Sequence, residues 1–315
     1  MSDDPLIAVI GADGFVGGGF ASGLDGRRVV YSKPRNGDVH VTEARELLER
    51  ADVIINAGGF RVRRGLTYDD YKRCHEEANS LFLPWIRKDA LFIHMSSAHV
   101  LGKSKNRRLG NYTQPNPKTY PSSDYALAKF EADLQIEKAA LEGGFRAIYL
   151  RPTIIYAAPG DTSLPDNLCK WAKAGRMLHL YPRDARHHFC HLNLLVAVAR
   201  RVIARNGALP NFSALVLADP YTVTNRELDS LIVKYLGRSP RQIPIPSPLL
   251  SAPLRLMFHS SNPKYDLRTW GDIFGVFHLD TEYDPFETFR LLEMDPTEYS
   301  REKTIEPFIR QALQG

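Results

Sequence analysis

The stretch Leu6-Ile7-Ala8-Val9-Ile10-Gly11-Ala12-Asp13-Gly14-Phe15-Val16-Gly17 decides the fold of this chain. Its first five residues form an apolar run that is typical of a strand buried on both faces of a parallel sheet. Glycines at such a strand-to-helix turn permit a tight bend, close approach of the backbone to a pyrophosphate, and close packing of helix on strand. The N–H groups and the dipole of the helix N-terminus favour the phosphates. We therefore predict a dinucleotide site formed by Gly11, Asp13, Gly14, Phe15, Val16 and Gly17.

The pattern after this turn is a regular alternation of short apolar runs with stretches of helical spacing, up to about residue 155. The further strand candidates are Val29–Tyr31, Val53–Ile55, Leu91–Ile93 and Ala147–Leu150. The helix candidates are Ala44–Arg50, Tyr71–Ile86 and Tyr125–Leu141. Such alternation predicts right-handed βαβ units. The fold class is therefore α/β, a doubly wound parallel sheet of the Rossmann type.

Beyond residue 155 the pattern is less regular. Helices are expected at Asn167–Ala174 and Thr304–Leu313, and the segments Phe189–Leu195 and Ala214–Ala218 are candidates to return to the sheet. Residues 240–265 are rich in proline but retain apolar residues, which favours an irregular lobe over a linker. We predict a dinucleotide-binding domain of residues 1–156 and 188–218, and a smaller substrate-binding lobe of residues 157–187 and 219–315.

The turn after the second strand bears on the choice of cofactor. Dinucleotide folds usually place an acid here, where it binds the ribose 2′-hydroxyl of NAD. This chain has Ser32-Lys33-Pro34-Arg35 instead, without a carboxylate. Lys33 and Arg35 are suited to the 2′-phosphate of NADP, Arg35 through a bidentate contact. The alternative is two solvated loop cations. NADP is therefore predicted, with NAD as the other candidate.

Tyr125 and Lys129 are a candidate pair of catalytic residues. The preceding Ser122-Ser123-Asp124 is a good helix N-cap, and the spacing of four residues places both side chains on one helix face. A nearby ammonium and an oxidised nicotinamide would lower the pKa of the phenol from about 10. By itself such a pair is also found on solvated helix faces.

A serine motif supports the catalytic interpretation. The segment His94-Met95-Ser96-Ser97 ends the fourth strand, at the edge where open α/β sheets bind ligands. A serine there can hydrogen-bond the substrate oxygen that Tyr125 protonates. We therefore expect the strand end and the Tyr125 helix to meet at one site.

Together these elements resemble the extended, epimerase/dehydratase-like branch of the short-chain dehydrogenase/reductase superfamily. The resemblance covers residues 5–200 and includes GADGFVG, VIINAGG at 53–59, MSSAHVLG at 95–102, YALAK at 125–129 and LRPTIIYAAPGD at 150–161. It implies that Ser97, Tyr125 and Lys129 are catalytic, that Tyr125 and Lys129 also contact the cofactor, and that Asp38 lies near the adenine. It further implies that Ala57 and Gly58 line the cofactor cleft, that Pro152 borders the nicotinamide, and that the chain forms a homodimer through a helix bundle including the Tyr125 helix.

Departures from the family pattern narrow the reaction. Dehydratases of this branch usually carry an Asp–Glu pair after the catalytic hydroxyl residue, whereas this chain has Ala98-His99. The segment Arg186–Leu194 matches the family's diphosphate-binding segment only in part. We predict reduction of a ketone on a nucleotide-linked sugar, with Ser97, His99 and Arg186 contacting the substrate. A sugar epimerase with tightly bound NAD, a reductase of non-sugar carbonyls such as steroids, flavonoids or polyketides, and a non-catalytic cofactor sensor remain alternatives.

Composition excludes several other classes of protein. A hydrophobic content of 43% with 24% charged residues is typical of a globular chain. The net charge is +5, but the arginines and lysines are interspersed with acidic residues and do not form the basic patch that a nucleic-acid-binding protein needs. No apolar run is long enough to span a bilayer, so no integral membrane contact is expected. His187 and His191 are four residues apart, but the aromatic and apolar residues between them favour a strand over a metal-binding helix. No metal site is therefore predicted. Three widely spaced cysteines and the lack of a signal pattern favour the cytoplasm.

Overall fold

The computed structural model describes residues 4–24, 27–31, 41–62, 66–102, 108–117, 123–181, 184–246 and 282–314. The strands are β1 (Leu6–Ile10), β2 (Arg27–Tyr31), β3 (Val53–Asn56), β4 (Leu91–Met95), β5 (Arg146–Pro152), β6 (Ile154–Tyr156), β7 (Arg176–Tyr181), β8 (Arg186–His187), β9 (Phe189–His191), β10 (Ser213–Leu217), β11 (Val223–Thr224) and β12 (Arg241–Pro246). The helices are α1 (Phe15–Gly23), α2 (Val41–Arg50), α3 (Tyr68–Lys72), α4 (Ala78–Phe82), α5 (Asp124–Gly143), α6 (Leu164–Lys173), α7 (Leu192–Ala204), α8 (Asn225–Leu236), α9 (Phe286–Leu291) and α10 (Ile305–Gln314).

The central sheet has six parallel strands in the order β10-β5-β4-β3-β1-β2. The chain moves from β1 to β2 on one side and then returns to β3 on the other side of β1. This reversal is the point at which doubly wound sheets bind ligands, outside the carboxyl ends of the strands. The predicted doubly wound fold is therefore confirmed, and the Gly11 turn lies at its switch point.

Two apolar cores cover the faces of this sheet, as the continuous apolar strands predict. One includes Phe20 of α1 and Leu195 of α7, and the other includes Leu48 of α2 and Ile136 of α5. A third core joins β6, α6, α8 and α10 through residues such as Phe308. The predicted division into a dinucleotide-binding domain and a substrate lobe remains a proposal.

The segment 189–195 differs from the prediction. Only Phe189–His191 is a strand, and it pairs with β6 in a separate two-stranded sheet rather than joining the central one. Helix α7 begins at Leu192 because the Nδ1 atom of His191 accepts the Asn193 N–H at 3.2 Å and caps the first turn. The apolar run continues at helical spacing, a pattern that a short window does not distinguish from a buried strand.

The predicted helix at 71–86 is also interrupted. Helices α3 and α4 are separated by a π-helical turn at Arg73–Glu77, and a 3₁₀ turn follows at Leu83–Trp85. A π turn inserts one extra residue into the helix and is frequent at functional sites. It therefore changes which side chains face the adjacent helix α5.

Candidate active site

The glycine turn has the geometry that a dinucleotide needs. Gly11 adopts φ +79°, in the left-handed region that favours glycine, and its carbonyl accepts the Gly14 N–H at 2.9 Å. A Cβ atom on Gly17 would lie 2.0 Å from the Gly11 carbonyl oxygen. Any larger residue at position 17 would therefore push helix α1 away from β1.

The loops after β1 and β3 meet at this turn. A Cβ atom on Gly11 would lie 2.9 Å from the Cα atom of Gly58, and the Ala57 N–H donates to the Ile10 carbonyl at 3.0 Å. The backbones of the two loops thus pack directly against each other at Gly11 and Gly58. Ala57 and Gly58 lie beside the glycine turn, and their contact with a cofactor stays a prediction.

The N-terminus of α1 is suited to an anion. Its N-cap is Gly14, no side chain caps it, and its first turn holds no acidic residue. The N–H groups of this turn are thus left for another acceptor, and the helix dipole favours a phosphate there. Asp13 and Phe15 are exposed at this turn, whereas Val16 packs against the core. These residues fit the pyrophosphate of a dinucleotide.

The residues predicted to select the 2′-phosphate, Ser32, Lys33 and Arg35, lie outside the described residues, as does Asp38. The structure describes β2 as far as Tyr31, which lies opposite Ile10 in the parallel ladder. The described part of β2 therefore ends beside the glycine turn. The role of these four residues stays a prediction.

Ser97 and Tyr125 come together at the carboxyl end of β4. Helix α5 begins at Asp124, as predicted, because the Ser123 hydroxyl accepts the Ala126 N–H at 3.0 Å. The Ser97 side chain lies near Tyr125, where hydrogen bonding favours the phenolate and lowers the pKa of the phenol. His99 also belongs to this group, since its N–H donates to Ser97 Oγ at 3.2 Å and its ring meets Tyr125 edge-on at 6.1 Å.

Lys129 lies one turn along α5 from Tyr125 and is buried. Its Nζ atom donates to the Met95 carbonyl at 2.7 Å. The ammonium is therefore held against the strand end that carries Ser97. The three predicted catalytic residues converge at one edge of the sheet.

The electrostatics of the pair differ from the prediction. Burial raises the pKa of Tyr125, and the hydrogen bond with Ser97 only partly offsets it. Burial also lowers the pKa of Lys129 to about 8. The loss of water disfavours both charged forms more than the expected phenolate–ammonium attraction favours them. The protein alone thus keeps Tyr125 as a phenol, which is the form that donates a proton.

Three further aromatic rings surround Tyr125, two of which the sequence did not indicate. Tyr71 and His75 have their ring centroids 5.6 and 5.9 Å from Tyr125, both edge-on, and His99 lies on another side. His75 is part of the π turn, and a Cβ atom on Gly59 would lie 2.4 Å from its ring. Helical spacing does not reveal a π turn, which explains why this cage was missed.

A buried carboxylate, Asp133, connects the elements of the site from below. It accepts the Ser96 hydroxyl at 2.8 Å, pairs with Arg151 at 3.1 Å, and lies one turn along α5 from Lys129. Burial lowers the pKa of Lys129, and Cys74 and, after it, Asp133 oppose this effect in part. Sequence reasoning missed this residue, although the four-residue spacing from Lys129 was visible.

Pro152 and Arg186 complete the list of predicted residues. Pro152 ends β5, next to the end of β4 in the sheet order. Arg186 lies in β8, and its NH1 atom is 3.4 Å from a carboxylate oxygen of Glu282, which Arg108 contacts as well. This ion pair involves neither Ser97 nor Tyr125. A substrate contact by Arg186 stays a prediction.

Within the described ranges, no group of three or more His, Cys, Asp and Glu side chains is arranged to hold a metal ion. No helix in the same ranges is long and apolar enough to cross a membrane.

Comparison with known proteins adds a family match. The model of the NAD dependent epimerase/dehydratase family matches residues 7–212. This region contains the glycine turn, Ser97, Tyr125 and Lys129. No curated protein matches the chain in sequence.

Solved structures share the fold over nearly the whole chain. RMD from Pseudomonas aeruginosa, complexed with NADPH, is 14% identical, with 99% of this chain and 98% of that one covered and a TM-score of 0.69. UDP-glucuronic acid 4-epimerase from Bacillus cereus, complexed with UDP-glucuronic acid and NAD, is 17% identical, with 98% and 99% covered and a TM-score of 0.71. The human epimerase family protein SDR39U1, with NADPH, is 15% identical, with 98% and 99% covered and a TM-score of 0.71.

Proposed function

Because the chain belongs to the NAD dependent epimerase/dehydratase family, an NAD(P)-dependent enzyme family of the short-chain dehydrogenase/reductase type, we propose that it reduces a ketone of a nucleotide-linked sugar with NADPH. The observation that carries this proposal is the meeting of Ser97, Tyr125 and Lys129 at the carboxyl end of β4. This is the edge at which open α/β sheets place their ligands.

Each of these residues has a role that follows from its environment. Bound NADPH would supply the hydride for the carbonyl carbon. Ser97 donates a hydrogen bond to the carbonyl oxygen, and Tyr125 transfers its proton to that oxygen as charge develops there. Lys129 supplies a positive charge near the phenol, which stabilises the phenolate left after proton transfer. The raised pKa of Tyr125 suits this direction, since it keeps the acid protonated at neutral pH.

The residues after Ser97 favour reduction over dehydration. Elimination of water needs an additional acid and base, and the turn at Ala98–Leu101 offers Ala98 and His99 in their place. Ala98 is buried and has no polar group, so it supplies neither function. NADP is preferred to NAD on the strength of Lys33 and Arg35.

A nucleotide-sugar epimerase is the second candidate, because the same three residues can oxidise and then re-reduce a sugar hydroxyl. The likeness to UDP-glucuronic acid 4-epimerase supports this candidate. A reductase of a non-sugar carbonyl, such as a steroid, flavonoid or polyketide ketone, is the third. It is favoured by the Arg186–Glu282 ion pair, which engages the residue expected to bind a diphosphate. A cofactor sensor would not need the intact Ser97, Tyr125 and Lys129.

The test is cofactor binding followed by turnover. NADPH and NADH are titrated into the protein, and oxidation of each is then followed with a panel of keto-sugar nucleotides and hydrophobic ketones. The proposal predicts tighter binding of NADPH and its oxidation by a keto-sugar nucleotide. Equal affinities would contradict the NADP preference, and turnover only with hydrophobic ketones would favour the third candidate.

We also propose that two copies of the chain associate through helix α5. Leu134 and Leu141 of this helix are 49% and 68% exposed and lie seven residues apart, so they share one helix face opposite the buried one. Exposed leucines that share one helix face suit a helix-bundle interface. Light scattering of the wild-type protein and of Leu134→Glu tests this, because the charge is expected to dissociate a dimer. A cytoplasmic location remains part of the proposal.

A further inference from the structure

Arg61 connects the loop that follows β3 to the loop that follows β6. It follows β3, and its guanidinium donates to the hydroxyl of Thr162 and, at 3.4 Å, to the carbonyl oxygen of Asp161. Those two residues follow β6, which continues the chain from β5. The contact therefore joins chain segments that follow the two neighbours of β4 in the sheet, β3 and β5.

The loop that carries Arg61 is fixed beside the catalytic tyrosine. The Phe60 N–H donates to the Cys74 sulfur at 3.0 Å, and Gly59, with φ +130°, packs against the ring of His75. That ring in turn lies 5.9 Å from the ring of Tyr125. Arg61 thus lies two residues along the chain from Gly59, which packs against one of the rings around Tyr125.

The loop that follows β6 is built around two carboxylates. Asp161 accepts the N–H groups of Ala157 and Ser163 at 2.8 and 2.7 Å. Asp166 accepts the N–H groups of Gly160 and Thr162 at 2.8 and 3.1 Å. These hydrogen bonds stabilise the loop, which includes Thr162 in an unfavourable backbone conformation.

Thr162 has φ +60°, which is uncommon for a β-branched residue. Such a conformation is costly and is often found at ligand sites. It places the Thr162 hydroxyl where Arg61 reaches it. The strained backbone of Thr162 therefore positions a hydroxyl acceptor for Arg61.

The charge of Arg61 is not balanced by this contact. Both acceptors are neutral oxygen atoms, and the carboxylate of Asp161 is engaged by backbone N–H groups. Among the residues that the structure describes, no carboxylate lies within ion-pair distance of Arg61. A guanidinium of this kind offers parallel donors that match the two oxygens of a carboxylate or phosphate.

We propose that Arg61 binds an anionic oxygen group of the substrate, a carboxylate or a phosphate, when the ketone lies beside Ser97 and Tyr125. This inference rests on the proposed function, because it assigns the charge of that same substrate. The guanidinium exchanges two neutral acceptors for an anion, and charge-assisted hydrogen bonds are the stronger ones. The exposed position of Arg61 allows this exchange without rearrangement of the core.

Binding is measured by calorimetry on protein saturated with NADP⁺, so that added anions do not occupy the dinucleotide site. The probes are UDP, UDP-glucose and UDP-glucuronic acid, and the variant is Arg61→Met. The control is Arg87→Met, which removes another exposed arginine, paired with Asp52 at the amino end of β3, the opposite edge of the sheet. Thermal unfolding verifies that both variants are folded.

Arg61→Met is expected to weaken binding by roughly tenfold to a hundredfold, whereas Arg87→Met leaves it unchanged. A phosphate contact predicts this loss for all three probes, and a carboxylate contact predicts it for UDP-glucuronic acid alone. Unchanged affinities in Arg61→Met, or a wild-type protein that binds none of the probes, would overturn the inference. If NADP⁺ itself does not bind, the proposed function fails separately, and the same titrations on the free protein still decide the role of Arg61.

Discussion

The Nζ atom of Lys129 lies 2.7 Å from the carbonyl oxygen of Met95, two residues before Ser97. This hydrogen bond links helix α5, which carries the proposed acid Tyr125, to the strand end that carries the serine. The spacing of these three residues therefore depends on a buried ammonium. Its protonation state is expected to influence the reaction as well as the structure.

Replacement of Tyr125 by phenylalanine tests the proposed acid. The variant lacks the proton that the substrate oxygen receives, so kcat is expected to fall by about a hundredfold or more. Binding of NADPH is expected to weaken far less than kcat falls, since the variant loses only the one cofactor contact that the Tyr125 hydroxyl makes. Steady-state kinetics and a cofactor titration measure the two effects.

Tyr235→Phe serves as the matched control. Tyr235 packs against the third core, away from β4, and its hydroxyl donates a hydrogen bond to Glu306. It is expected to leave kcat unchanged. Undiminished turnover in Tyr125→Phe would remove Tyr125 from the mechanism.

The pH dependence of the reaction follows from the buried lysine. Lys129 has its pKa lowered to about 8, so its charge is lost as the pH rises through that value, and kcat/KM is expected to fall with it. Asp133 favours the charged form, so Asp133→Asn is expected to move this decline to lower pH by about one unit. A pH–rate profile of both proteins provides the measurement.

Glu137→Gln is the control for this shift, because it removes the same charge one turn further along α5, at an exposed position where water screens it. Its profile should match that of the wild-type protein. If kcat/KM of Asp133→Asn declines at the same pH as that of the wild-type protein, Asp133 has only a structural role.

The close packing of α1 on the glycine turn predicts a specific defect. Gly17→Ala places a Cβ atom 2.0 Å from the Gly11 carbonyl oxygen, so helix α1 must shift. We expect lower stability and at least a tenfold loss of NADPH affinity, since the phosphate-binding N–H groups move with the helix. Gly207→Ala, where no atom lies within 4 Å of the added Cβ, should have neither effect.

Cofactor choice is tested on the turn after β2. If Lys33 and Arg35 bind the 2′-phosphate, replacing either by alanine should weaken NADPH by about tenfold or more and leave NADH nearly unchanged. The ratio of the two dissociation constants is the quantity to measure. If the ratio is the same in the variants and the wild type, Lys33 and Arg35 do not bind the 2′-phosphate and are solvated cations.

Buried Asp219 predicts a pH dependence of stability. It accepts the Tyr156 hydroxyl and the His191 N–H at 2.8 and 2.9 Å, and burial raises its pKa from 3.8 to about 7. Between these two values the folded state binds more protons than the unfolded state, so stability falls as the pH rises and is constant above about 7.

Asp219→Asn stays neutral throughout this range. The free energy of unfolding of the wild-type protein, relative to this variant, is expected to decrease on the order of a few kcal/mol between about pH 4 and about pH 7. Denaturant titrations at both values measure it. A constant difference would show that the hydrogen bonds offset the burial of the charge.

Local sequence signals predicted those parts of the fold that have a local cause. The apolar strand before Gly11 and the Ser123 cap before Tyr125 both specify their own backbone, and both lie where they were expected. Ser97 was placed because the carboxyl ends of parallel strands meet at one edge. Each of these inferences needs only neighbouring residues or a general rule of sheet topology.

Features that depend on tertiary contacts were not predictable in this way. The π turn that aims His75 at Tyr125 leaves the helical spacing of the sequence almost unchanged. Helix α7 begins where the His191 ring caps it, inside an apolar run that fits a strand equally well. The raised pKa of Tyr125 depends on how much of the ring is buried, which no spacing records.

The most direct test of the central claim is the amount of NADPH consumed per carbonyl reduced, measured with a keto-sugar nucleotide as substrate. Ketone reduction predicts stoichiometric oxidation of NADPH that is largely lost in Tyr125→Phe. Formation of an isomerised sugar without net consumption of NADPH, or turnover that does not depend on Tyr125, would contradict it.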